Sequence, residues 1–229
     1  MKKINKKILV VVAHPDDEVL GCGGTILKYI NEGYKIDLIT LTDGVSSRNL
    51  EKQKNTIEKR IRLEALLKSS KILGIKNILN LDFPDNKLDS VPILDIIQPI
   101  EKKIIKFKPG KIITHFDNDL NKDHNIVSKA IQTICRPIAP FKINEILFFE
   151  VLSSTEWHLN KKNSFVPNKF IDIAKTINKK ICAFKCYKRE IQKFPHSRSI
   201  EGIKTIAKYR GMMSGLKYSE AFIIHRMID

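Results

Sequence analysis

The feature that most limits how this chain can fold is an unbroken apolar run, Ile8 to Val12 (ILVVV), ending abruptly on Ala13-His14-Pro15-Asp16-Asp17-Glu18. A β-branched run without polar alternation fits a strand covered on both faces, as parallel sheets require. The same grammar repeats downstream. Val19 to Asn31 reads as a helix closing near Gly33, and Lys35 to Thr42 as a second strand. Leu50 to Leu73 has Ile57, Ile61, Ala65 and Ile72 at helical spacing, with Gly74 as its C-terminal cap. A short strand Ile78–Leu81, a helix Val91–Phe107, a strand Lys111–Thr114, a helix Asp123–Cys135 and a strand Glu145–Phe149 follow. Past residue 150 the pattern loosens into helices Ala174–Gln192 and Ile200–Met213 and a closing strand Ala221–Met227. This alternation predicts an α/β, Rossmann-like fold with a mostly parallel sheet and helices on both faces. It is read as one domain over 1–229, with a core of about 1–150 and a C-terminal extension, 151–229.

Composition narrows the class. The net charge of +16 raises the question of a polyanionic partner. Its lysines are spread from end to end, and no basic stretch is interleaved with aromatics as a stacking platform would be, which argues against nucleic acid. No apolar run approaches the 18 or more residues of a membrane helix. The basic start is followed by too short an apolar stretch for a secretory signal, so a cytoplasmic location is expected. Cys22, Cys135, Cys182 and Cys186 form no CxxC pair and are expected to be small buried apolar groups.

The chemistry is concentrated in two loops. The first supplies His14 and the carboxylates of Asp16, Asp17 and Glu18. The second, after the Lys111–Thr114 strand, reads His115-Phe116-Asp117-Asn118-Asp119-Leu120-Asn121-Lys122-Asp123-His124. Both follow strands whose carboxyl ends should face one crevice, where α/β sheets bind their ligands. Together they offer two imidazoles and a carboxylate for a metal, with another carboxylate left over as a general base. Spacing alone leaves open which aspartate ligates. A competing reading makes the three acids a solvated turn at a helix N-terminus.

The motifs Ala13 to Glu18, Thr42-Asp43-Gly44, Arg62-x-Glu64, Leu73-Gly74 and Asp119-x-x-x-Asp123-His124 resemble the PIG-L/LmbE family of zinc-dependent N-deacetylases, as does the tail Tyr209-Arg210-Gly211 to Tyr218-Ser219-Glu220-Ala221-Phe222. The resemblance implies metal ligation by His14, Asp17 and His124, with Asp16 as general base. It implies zinc, with another divalent transition metal as the alternative. Arg62 and Asp85 match positions that contact substrate in relatives. As a helix-surface cation, Arg62 would instead pair with Glu58 or Glu64.

One departure bears on mechanism. Many relatives carry a histidine where this chain has Asn121. An amide can donate to an oxyanion but cannot titrate near neutrality, so it cannot be the general acid. His196 is the preferred stand-in for the acid and His115 the second choice; Asp123 is expected to orient a neighbour. The resulting expectation is a hydrolase that removes the acetyl group of an N-acetylated amino sugar, either free or as a phosphorylated or nucleotide-linked glycoside. The alternatives are a catalytically weak, metal-containing sugar-binding module and a hydrolase of non-sugar amides.

Overall fold

The computed structural model describes residues 5–48, 51–159 and 164–228. Among them run β1 (Lys7–Val12), α1 (Asp17–Asn31), β2 (Lys35–Thr42), α2 (Lys52–Leu73), β3 (Asn77–Phe83), α3 (Ile93–Phe107), β4 (Lys111–His115), α4 (Lys122–Ile134), β5 (Glu145–Phe149), β6 (Lys169–Asp172), α5 (Ile177–Phe184), α6 (Ile200–Ser214) and β7 (Ser219–Met227). The strands form one sheet in the order β3-β2-β1-β4-β5-β7-β6. The first five are parallel, and β7 runs antiparallel to both β5 and β6. The expected α/β sheet with helices on both faces is the observed architecture.

The sheet explains the apolar run. Ile8, Val10 and Val12 enter the core shared with residues of α1, α2, α5 and α6. Leu9, Val11 and Ala13 enter the core on the opposite face, with residues of α3 and α4. All six are fully buried, and each large aliphatic side chain so buried contributes about 1.5–3 kcal/mol relative to exposure. The strand order also places the site. Successive connections build outward from β1 through β2 to β3, then cross back to lay β4 on the other side of β1. The carboxyl ends of β1 and β4 therefore flank the point where the winding reverses.

Several expectations need correction. The helix expected over Ala174–Gln192 is helical only from Ile177 to Phe184, and β6, unforeseen, precedes it. In α2, Ile57, Ile61 and Ile72 are exposed, while Glu58, Arg62, Ala65, Leu66, Ser69, Ser70 and Leu73 are buried. Apolar periodicity misled there because the inward face carries polar groups that serve the site. The expected start of this helix at Leu50 lies outside the described residues. Of the cysteines, Cys22 and Cys135 are buried as expected, but Cys182 is exposed and Cys186 half-buried.

Candidate metal centre

The ends of β1 and β4 are stitched together by the Ala13 N–H, which donates to His115 Nε2 at 2.8 Å. The chain then turns sharply, and Asp16 sits at φ 116°, ψ −25°. A non-glycine residue there stores strain of about 1–3 kcal/mol, which concentrates at functional sites. The consequence is a division between neighbours. Asp17 faces the imidazoles of His14 and His124, whereas Asp16 faces Arg62 and Arg198.

Three ligand atoms converge. His14 Nδ1 is 3.1 Å from Asp17 Oδ2 and 3.2 Å from His124 Nε2, which is itself 3.3 Å from Asp17 Oδ2. Ligands about 2.1 Å from a tetrahedral ion lie about 3.4 Å apart, so this triangle has the size of one face of such a site. The second ring nitrogens support that fit. His124 Nδ1 lies 3.1 Å from Asp119 Oδ1, and His14 Nε2 lies 3.2 Å from Asp85 Oδ1 and 3.4 Å from Asp123 Oδ2. Carboxylates behind both imidazoles place their protons outward and their lone pairs toward the triangle, the usual support for a metal-ligating histidine. Asp119 is gripped in turn by the hydroxyls of Ser154 and Thr155. A His/Asp metal-binding site is thus present.

The electrostatics point the same way. Burial would depress the His14 imidazole, yet Asp123, Asp17 and Asp85 together raise it to about 10. Three carboxylates around one imidazole concentrate negative charge there, which a divalent ion would offset. Against burial, the His124 and His115 imidazoles hold the Asp17 carboxyl well below the usual range. For Asp16, burial wins over the two guanidiniums and its carboxyl is raised.

Asp16 Oδ2 accepts from Arg62 Nη2 at 3.0 Å and Arg198 Nη1 at 3.2 Å, while its Oδ1 is buried and without a hydrogen-bond partner. Glu190 gathers Arg48, Arg62 and Arg198 around one carboxylate. Glu18 fixes the turn from below. Its Oε2 accepts from the Asp16 N–H at 3.0 Å, and its Oε1 accepts from Tyr187 Oη at 2.7 Å. All three acids of the first loop are fully buried, which excludes the solvated-turn reading.

The other expected residues fall in distinct places. Arg62 is buried and pairs with Asp16 and Glu190, not with Glu58 or Glu64. Asp85 lies against His14, and Ser47 Oγ donates to it. Asp123 accepts from the Leu88 N–H and backs His14. Asn121, expected as an oxyanion donor, is the N-cap of α4. Its Oδ1 accepts from the Asp123 N–H at 2.8 Å and its Nδ2 donates to Asn86 Oδ1 at 3.0 Å, so both ends of the amide are engaged locally. His115 stacks on His124 with ring centroids 3.9 Å apart. Burial lowers its imidazole well below the ordinary value, and its Nε2 accepts from the Ala13 N–H, which leaves the ring proton on the buried Nδ1. His196 Nδ1 accepts from the Arg198 N–H at 3.0 Å. The sequence reading missed roles for Asp119, Ser154, Thr155, Glu190 and Arg198. Asp119 lies inside the Asp119-x-x-x-Asp123-His124 motif and Arg198 two residues from His196, but Glu190 carries no local signal.

Comparison with known proteins gives the family and the fold. The family model described as PIG-L, GlcNAc-PI de-N-acetylase, matches residues 9–135. A diacetylchitobiose deacetylase from Thermococcus kodakarensis is 28% identical over 224 residues, covering 94% of this chain and 81% of that protein. Among solved structures, the N,N'-diacetylchitobiose deacetylase from Pyrococcus horikoshii superposes with a TM-score of 0.78 at 22% identity, over 96% of this chain and 83% of that one. A 4-carboxy-2-hydroxymuconate hydratase from Pseudomonas putida superposes with a TM-score of 0.74 at 20% identity, over 97% and 98% of the two chains. The fold alone therefore does not choose the reaction.

Proposed function

The chain belongs to the PIG-L, GlcNAc-PI de-N-acetylase, family, and from that premise we propose that it hydrolyses the acetamide of an N-acetylated amino sugar, with zinc held by His14, Asp17 and His124. The observation that carries this reading is the pairing of a ligand triangle with a second, unligated carboxylate on the adjacent residue. Bound there, the ion would lower the pKa of water and polarise the amide carbonyl. Asp16 takes the proton of the attacking water on Oδ1, the atom left without a partner. Arg62 and Arg198 hold its other oxygen, so the carboxylate keeps its orientation through the transfer. A raised carboxyl pKa brings a base closer to operating pH, where proton transfer is most effective.

His196 is the proposed donor to the leaving amine. To act as an acid near neutrality the ring must carry both protons, so the Nδ1 that accepts from the Arg198 N–H gives up that bond when the imidazolium forms. Asp85, Asp119 and Asp123 orient the two imidazoles. We take 1–229 to act as one functional unit, because Arg198 and Glu190 complete a site begun by β1. The test is acetate release from a panel of N-acetylated sugars, both free and nucleotide-linked. The expected activity is lost on chelation and restored by zinc. Acetate release that survives chelation would sink the metal assignment. Intact sugars across the whole panel would sink the substrate class.

A further inference from the structure

A cavity of about 510 Å³ opens between α2 and the end of α5 with the chain that follows it. That is the size of a small-molecule pocket. None of His14, Asp17 and His124 lines it. Ile61 and Ala65 of α2 face Cys182, Cys186 and Tyr187 across an apolar wall. Six cationic side chains line the same space against three carboxylates. Two of those acids are engaged, Glu58 by Arg189 and Glu190 by Arg48 and Arg62. Lys185 and Lys188 are exposed and make no ion pair among the described residues, and Lys68 reaches Glu64 only at 3.7 Å. Uncompensated positive charge beside an apolar wall is complementary to a small organic anion with a flat, apolar body.

The wall of this cavity also holds the base. Arg62 Nη2 bonds Asp16 Oδ2 at 3.0 Å and its Nη1 bonds Glu190 at 2.6 Å. The guanidinium lies over the Tyr187 ring, 5.3 Å from its centroid. Tyr187 Oη in turn donates to Glu18, which accepts from the Asp16 N–H. Two routes therefore run from the cavity to Asp16, one to its carboxylate and one to its backbone. An anion seated against this wall competes with Asp16 for the Arg62 guanidinium, whose Nε has no hydrogen-bond partner.

Resting on the deacetylase reading above for its effect on turnover, we propose that this cavity is a regulatory site for a small amphipathic anion, separate from the place of the sugar. Its occupation slows turnover by drawing Arg62 off Asp16. The probe is 8-anilinonaphthalene-1-sulfonate, added to the zinc-loaded protein. Its emission should rise saturably, with one molecule bound per chain. N-phenyl-1-naphthylamine, the same body without the sulfonate, should bind about ten-fold more weakly. Lys185→Glu combined with Lys188→Glu should weaken the sulfonate about ten-fold, as two attractions become repulsions. Ile61→Trp, which fills the cavity without changing charge, should weaken both compounds. Bound probe should also slow alkylation of Cys182 by iodoacetamide. Asp16→Asn releases Arg62, so by linkage it should tighten the probe about five-fold. In turnover the probe should lower kcat and leave KM unchanged. Equal binding of the neutral amine overturns the proposal, as does affinity that ignores the lysine reversal or a Cys182 that alkylates unhindered. So does inhibition that only raises KM, which would make the cavity part of the sugar site, or a probe affinity unmoved by Asp16→Asn. If no sugar yields acetate but Asp16→Asn still tightens the probe, the coupled site stands and the deacetylase reading falls.

Discussion

At the residue scale, two adjacent aspartates do different work, and substitution should separate them. His124→Ala removes a corner of the ligand triangle, so purified variant protein should contain little metal by elemental analysis. Asp16→Asn should keep its metal while turnover falls by a factor of about 10² or more, the scale of a lost general base. A comparable metal loss in both variants would show that Asp16 also ligates. His196→Ala should slow an ordinary acetamide about 10²-fold. The loss should be far smaller on an anilide whose leaving group departs without protonation; equal losses on both would remove His196 from the acid role. Asn121→Ala should cost about 1 kcal/mol of stability, the usual value of a lost N-cap, and Asn121→Ser should restore it. A large rate loss in the serine variant, with stability intact, would return Asn121 to the oxyanion.

At the element scale, α1 is two helical pieces joined at Cys22, where φ is −146°. The N–H groups of Gly24 and Thr25, freed by that break, donate to the Glu220 carboxylate at 2.9 and 2.7 Å. Lys180 from α5 completes the set at 2.6 Å. A Cβ on Gly21, just before the break, would lie 2.1 Å from the Phe149 ring, so the helix can approach β5 only with glycine there. Glu220→Ala leaves Lys180 buried and unpaired, and chemical denaturation should report a loss of about 3–5 kcal/mol. Replacing Lys180 with Met in the same chain should recover part of it. On the sheet, Glu145 of β5 pairs with Lys111 of β4 and Lys169 of β6. Burial would raise its carboxyl, but the two lysines hold it below its ordinary 4.5. A depressed folded pKa means stability that is present above about 4.5 and lost as pH falls through the folded value. The stability gap between the wild-type chain and Glu145→Gln should therefore be widest near neutrality and narrow in acid; a gap that widens in acid would reverse the assignment.

At the scale of the whole molecule, a net charge of +16 repels itself, so added salt should raise the thermal midpoint and weaken any adsorption to DNA. DNA binding that holds through physiological salt would instead mark a built nucleic-acid surface. The sheet and its site differ in how far local sequence could specify them. The ILVVV run required burial on both faces, and the strand–helix alternation required a parallel sheet, because hydrophobic periodicity is a local property of neighbouring residues. His14 and the paired aspartates were legible for the same reason: a strand end followed by ligand-type side chains is a local pattern. Local pattern did not choose between Asp16 and Asp17. Tertiary structure separated them, through a positive φ at Asp16 and through Arg62 and Arg198, which lie 46 and 182 residues away in the chain. Nor could periodicity find the inward face of α2 or the hub at Glu190. Periodicity registers where apolar side chains are buried, whereas these positions bury charge, and a buried charge is tolerable only beside partners that the fold alone brings within reach.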